Sequence, residues 1–156
     1  MTIAPMLQQH MDKQGIPYEL MSHDREVVAT RIAQAAHIPG NSFAKGVLLK
    51  SDSGFLVAVV PANRHVDLAE LSHRRHERLG LASEEEARRI FADCDPGAVP
   101  ACAEAYGIPM IVDSDLTDFD EIYMEAGDHK SLIHITRQGF ARLTAMAELA
   151  PISRAH

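Results

Sequence analysis

Few side chains in this sequence are placed to do chemistry, and Lys45 is the first of them. It opens the most apolar run of the chain, Ala44-Lys45-Gly46-Val47-Leu48-Leu49, and has no acidic neighbour in sequence. A lysine at the end of a buried strand is costly unless its ammonium reaches water or an anion. Two readings stand at this point. Its stem covers the core edge while the head snorkels to solvent, or it is a fixed cation for a phosphate or carboxylate. Gly46 beside it favours the second, because an absent side chain lets a ligand approach the backbone closely.

The segment Asp95-Pro96-Gly97-Ala98-Val99-Pro100-Ala101 comes next. Its two prolines stiffen a stretch of small side chains and exposed backbone N–H groups. Such a stretch is either a rigid connector or a pocket wall that aims amides at a developing oxyanion. Gly127-Asp128-His129 is third: a hairpin turn with polar tips, or a turn that puts Asp128 and His129 into a pocket as hydrogen-bonding groups. His65, His73 and His76 cluster with Arg74, Arg75 and Arg78. His73 and His76 are three apart with no third ligand at metal spacing, so the cluster reads as a solvated basic face or a local patch for RNA phosphate rather than a zinc site. Cys94 and Cys102, without a CxxC, make neither a zinc framework nor a disulfide scaffold; they read as two partly buried free thiols suited to a reducing compartment. No Walker loop, GxGxxG, GxSxG or HExxH occurs.

The elements that must hold these residues follow from hydrophobic period and turn chemistry. Residues 3–14 place Met6, Leu7, His10 and Met11 on one helical face, ended by Gly15. Ile16–Met21 reads as a strand and Val28–Ala36 as a short helix with Ile32, Ala35 and Ala36 inward. Ala44–Lys50 and Phe55–Val60, joined by Ser51-Asp52-Ser53-Gly54, form a hairpin buried on both faces. Asp67 caps a helix to His73, and Ser83-Glu84-Glu85-Glu86 is a capping box opening a helix to about Phe91. Pro109–Asp113 is a strand. Glu121–Glu125 and Ser131–Thr136 form a second hairpin across residues 126–129, and a last helix over Arg137–Leu149 turns Phe140, Leu143 and Met146 inward. The order predicts a mixed sheet with helices around it, an α+β domain occupying residues 1–156 without repeat or linker.

Bulk properties restrict the partners. A hydrophobic content of 46% suits a globular core, and no apolar run approaches the roughly 18 residues that cross a bilayer. Gln8, Gln9 and His10 interrupt the N-terminus where a secretory signal would be apolar, so a cytoplasmic protein without membrane contact is expected. The net charge of −7 argues against a protein that coats DNA or other long nucleic acid, yet allows a grip on one nucleic-acid end.

Three of these features recur together, and in this order, in one family. The chain resembles the YbaK and prolyl-tRNA-synthetase-associated editing domains through Ala44–Leu49, the Pro-Gly-Ala-Val-Pro loop, and Glu125-Ala126-Gly127-Asp128-His129 followed by Leu132-Ile133-His134-Ile135. The likeness spans roughly Met6 to Leu143. It implies a strongly curved central mixed sheet and hydrolysis, without metal or cofactor, of the ester joining an amino acid to the terminal adenosine of tRNA. Relatives act on tRNA for proline loaded with alanine or cysteine, and some take other small residues. The family lysine maps onto Lys45. The Gly-x-x-x-Pro loop maps onto Gly97–Pro100 with two intervening residues instead of three, and a pocket histidine falls on His129. On this resemblance Lys45 holds the tRNA end, Gly46, Ala98, Pro100 and Asp128 line the substrate site, and amides of Gly97–Val99 address the carbonyl. Lys130 and the Arg74–Arg78 face would add phosphate contacts. The implied partners are an aminoacyl-tRNA acceptor end and a synthetase. The alternative is a non-catalytic module that captures a nucleotide or tRNA end, or recruits a synthetase.

Overall fold

The computed structural model describes residues 3–22, 31, 33, 34, 36 and 38–155. In chain order the elements are α1 (Pro5–Gln14), β1 (Glu19–Ser22), β2 (Phe43–Ser51), β3 (Gly54–Pro61), β4 (Arg64–Val66), α2 (Leu68–Arg75), β5 (Gly80–Leu81), α3 (Glu84–Ile90), β6 (Met110–Asp113), β7 (Glu121–Glu125), β8 (Ser131–Thr136), α4 (Arg137–Leu143), β9 (Glu148–Ala150) and β10 (Ser153–Ala155). The main sheet runs β1-β8-β7-β2-β3-β6-β9, with β5 on β2; β4 and β10 form a separate ribbon. Contacts β7–β2, β3–β6 and β6–β9 are parallel and the others antiparallel, so the sheet is mixed.

The β2–β3 hairpin forms where its apolar runs and turn place it, from Ala44↔Pro61 to Ser51↔Gly54. Alternation sends its side chains into two cores. Ala44, Leu48, Val57 and Val59 join one, with Leu7, Met11, Phe140 and Leu143. Leu49, Leu56, Ala58 and Val60, with Val47 at the margin, join the other beside Leu71, Ile111 and Ile152. Cover on both faces is why these strands read as unbroken hydrophobic runs.

α1 buries Leu7 and Met11, and Gly15 closes it in the left-handed region at φ 66. Met6, expected on that face, is 45% exposed. Leu7 and Met11 share a stripe at i, i+4 spacing, and Met6 lies about 100° off it. The helix expected over Val28–Ala36, with Ile32 and Ala35 inward, lies largely outside the described residues; Ala33 is buried beside Phe43, Ala62 and Leu132. Both caps form as expected: Asp67 accepts from the Glu70 amide, and Ser83 and Glu86 exchange hydrogen bonds.

The C-terminal region differs from expectation. The helix stops at Leu143, Met146 is 86% exposed, and Glu148–Ala150 becomes a strand parallel to β6. The edge of β6 needs a partner for its backbone groups, and that demand outweighs a helical pattern whose last member, Met146, has no core to enter. β4, β5, β9 and β10, three residues or fewer each, are too short for a period-2 signal.

Candidate functional site

β2 has a break in its pairing. Along one edge, Phe43 and Ala44 pair with β7 while Leu49 and Lys50 pair with β5. Lys45, Gly46 and Val47 between them have no strand partner on that side among the described residues. The sheet splits here, and the split opens a cleft of about 500 Å³. Gly46, Val47 and Leu48 form its floor, Pro96, Gly97 and Val99 one wall, and Leu81, Ala82, Ser83, Ala87 and Arg88 the other.

The second wall is fixed by the helix start. The capping box orients α3, and Lys50 on β2 donates to Glu86 at 2.6 Å, tying the helix to the strand beneath. That contact and the Ser83 amide hold the Glu86 carboxyl down at about 2.

The first wall is the proline-bounded loop, and its support is internal. Ala98 donates its amide to the Asp95 carbonyl at 3.0 Å, and Asp95 donates to Gly127 at 2.7 Å. The His129 ring donates from Nε2 to the Pro96 carbonyl at 2.7 Å. A carbonyl can only accept, so Nε2 carries the proton. Gly97 turns with φ 82, which favours glycine. Ala98 and Pro100 are buried under the loop, whereas Gly97 is exposed. With the Ala98 amide engaged, the Gly97 and Val99 N–H groups are the ones without an intramolecular acceptor among the described residues.

Gly46 is explained by this loop. A Cβ there would stand 2.7 Å from the Pro100 carbonyl oxygen and 3.1 Å from Val99 Cγ1. The close approach that Gly46 permits is therefore made by the chain's own loop, and the ligand space lies beside it.

His129 sits behind the loop. It is 1% exposed, its backbone has φ 60, and its Nδ1 faces Glu125 Oε1 at 3.7 Å. Both of those atoms are buried without a hydrogen bond. Glu125 Oε2 accepts from the amides of Gly127 and His129, and burial pushes its carboxyl up. Asp128 folds back onto the turn, accepting from the amides of Lys130 and Ser131 and from the Ser131 hydroxyl. The Gly127-Asp128-His129 turn thus props the loop from behind.

Lys45 points to the opposite face of β2 from Gly46, as alternate strand residues must. It lines a second cleft, of about 250 Å³, with Val47, His65, Val66, Leu68, Leu81 and Arg154. Its ammonium donates to the Ala62 carbonyl at 3.2 Å, and partial burial lowers its pKa. Val47 and Leu81 line both clefts, so the two are lobes of one depression around the unpaired edge of β2.

The sequence-identified residues therefore divide. Gly46, Gly97 and Val99 meet in one lobe and Lys45 lines the other. Ala98, Pro100, Asp128 and His129 build the support. The exposed Arg74, Arg75, Arg78 and Lys130 line neither lobe. Sequence reading did not identify Leu81, Ala82, Ala87, Arg88 and Arg154 as site residues, and it took His65 for part of the α2 cluster. Arg88 was traceable, one turn past a recognised cap; Arg154 carried no local signal. Among the described residues no three His, Cys, Asp or Glu side chains gather as metal ligands. No helix among them is long and apolar enough to cross a membrane.

A mixed α/β sheet with an unpaired stretch around Gly46, and a proline-bounded loop over the gap, defines an α/β domain with a cleft at the strand edge. A family model for the aminoacyl-tRNA editing domain matches residues 26–143, and the chain belongs to that family. Solved structures agree in fold. A protein described as a candidate trans-editing enzyme for prolyl-tRNA synthetase superposes with a TM-score of 0.84 at 21% identity, over 97% of each chain. A protein known only as hypothetical gives 0.84 at 16% identity, over 96% of this chain and 99% of its own. A candidate signal transduction protein from Marinobacter aquaeolei VT8 gives 0.76 at 23% identity; 95% of this chain covers 30% of that longer one. No curated protein matches the chain in sequence.

Proposed function

We propose that the protein, acting as a single domain, hydrolyses the ester between a wrongly attached small amino acid and tRNA, with tRNA for proline carrying alanine or cysteine as the leading substrate. The observation that carries this reading is the pair of open amides, Gly97 and Val99, on a braced loop over the unpaired edge of β2. An aminoacyl ester is already activated, so a strong side-chain nucleophile is not required. Water adds to the carbonyl carbon, the oxyanion is received by loop N–H groups, and the C–O bond breaks with the ribose oxygen leaving as a hydroxyl. Each such donor contributes on the order of 100–1000-fold in rate. The substrate's own free ribose hydroxyl shares the proton transfer in this scheme, in keeping with the absence of a Ser-His-Asp set in the cleft lining.

Lys45 holds the tRNA end as a cation and is neither nucleophile nor base. Selection is by size. One methylene is worth only about 1–3 kcal/mol, so a synthetase pocket leaks smaller residues and a second, tighter pocket corrects it. Ala82, Ala87, Gly97 and Val99 line the lobe that would do so; the buried Ala98 acts through the loop's shape. A synthetase is the second proposed partner, beside the aminoacyl-tRNA acceptor end.

The test is release of labelled alanine, cysteine or serine from tRNA for proline, with and without chelator, for the native protein and Lys45→Ala. Release above the spontaneous rate, insensitive to chelator and reduced about 10–100-fold in Lys45→Ala, is expected from the loss of a charge-assisted contact. No release from any of the three overturns the enzyme reading and leaves a binding module for a tRNA end or a synthetase. Loss of activity in chelator makes the protein a metal-dependent hydrolase.

A further inference from the structure

The smaller lobe has a composition that the acidic chain as a whole does not. With a net charge of −7, the protein nonetheless gathers Lys45, His65 and Arg154 around one 250 Å³ cleft with no carboxylate in its lining. Its remaining walls are apolar: Val47, Val66, Leu68 and Leu81.

The three basic residues arrive on three separate strands. Lys45 comes from β2, His65 from β4 and Arg154 from β10. His65 and Arg154 stand directly opposite in the antiparallel β4–β10 register, which puts their side chains on the same face of the ribbon. Arg64 and Ala155, one position on, line a different depression on the ribbon's other side. The ribbon itself is anchored. Ile152 is fully buried, Asp67 donates its amide to the Ile152 carbonyl at 2.8 Å, and Arg64 donates to the Ser153 hydroxyl at 2.7 Å. Arg154 is thus an exposed side chain on a fixed backbone. Lys45 spends one of its three donors on Ala62, which aims the ammonium and leaves two.

We propose that this lobe is a nucleotide 5′-phosphate site, completed by Arg154 and His65, with the apolar strip receiving the nucleoside. A guanidinium fork, an ammonium and an imidazole lining one cleft suit a phosphate, and aliphatic walls suit the nucleoside attached to it. The shared lining by Val47 and Leu81 then places the nucleotide's ribose at the entrance of the larger lobe, where the loop amides are. Arg154 lies beyond the residues 26–143 matched by the family, so family membership assigns it no role. The inference rests on the deacylase reading for its biological substrate, and on the cleft alone for its chemistry.

The probes are adenosine 5′-monophosphate and adenosine, titrated into the full chain and followed by nuclear magnetic resonance. The native protein is expected to prefer the monophosphate by about 10-fold or more, the scale of charge-assisted hydrogen bonds. Arg154→Ala and the double variant His65→Ala/Arg154→Ala bring the two probes to within about twofold, with adenosine affinity and melting temperature unchanged, as befits lost phosphate contacts. Arg154→Lys retains part of the preference, and Lys13→Ala, on the exposed side of α1, alters nothing. Equal binding of both probes to the native protein, or an undiminished preference in both Ala variants, overturns the site. The two readings fail separately. An Arg154-dependent preference without any deacylation removes the deacylase and keeps the site. Deacylation in Arg154→Ala with native KM removes the site and keeps the deacylase.

Discussion

Lys45 shows how one residue's setting becomes a pH dependence. Burial alone lowers its pKa from the ordinary 10.5, with no carboxylate among the described residues to offset it. The ammonium is present below that lowered value and is lost as pH rises through it, so affinity for an anionic substrate should fall earlier on the alkaline side than an exposed lysine would allow. For stability the sign is opposite. Between the folded and unfolded values the unfolded chain binds the extra proton, and stability rises with pH through that window. Lys45→Arg separates the two effects, because a guanidinium stays charged throughout. The alkaline rise in KM should vanish in Lys45→Arg even if its KM is higher at neutral pH; an unchanged limb would assign the titration to another group. His129 is instructive at the same scale. Its residue type suggests acid–base chemistry, yet its ring is spent on the Pro96 carbonyl and its place is behind the loop.

Among the elements, the relation between β2 and the Pro96–Pro100 loop decides the site. The loop could be recognised in sequence because two prolines and a glycine leave few conformations. Its destination could not, since nothing near residue 97 encodes contact with residue 46. Gly46→Ala tests that contact. The added methyl meets backbone at 2.7 Å, which cannot rotate away, so the loop must lift. A stability loss of about 1–3 kcal/mol, typical of overpacking, should accompany a deacylation loss that exceeds it. Gly80→Ala is the control, since a Cβ there meets nothing within 4 Å. Urea unfolding and single-turnover deacylation give both readings; native activity in a folded Gly46→Ala would show that the loop's seat is irrelevant to chemistry. The helix starts at Asp67 and Ser83 were legible because caps are local contracts between residues three apart. The end of α4 was not, because a strand's claim on Glu148–Ala150 comes from β6, about 37 residues earlier in sequence by the register of Ile111 with Glu148.

For the whole molecule, charge and topology set what it can bind. A net charge of −7, with Lys45 and Arg154 the Lys and Arg side chains of the smaller lobe, predicts weak, shallowly salt-dependent tRNA binding. With two or three phosphate contacts, log affinity against log salt should have a slope of about −1.5 to −2, at about −0.7 per contact to a single strand. A slope near −7 would mean about ten phosphate contacts, more than Lys45, His65 and Arg154 supply. The sequence by itself determined the β2–β3 and β7–β8 hairpins, the two helix caps, the stiff loop and the lysine beside a glycine. Each of these is written in residues a few positions apart, where period, turn chemistry and capping act. Only the tertiary structure decided that the sheet splits between Ala44 and Leu49. It alone put Lys45 and Gly46 on opposite faces of that gap as two lobes of one cleft, and brought Arg154 beside Lys45 through a ribbon of three-residue strands. Those facts depend on which distant edges satisfy one another's hydrogen bonds, a competition among all strands at once that no local window contains.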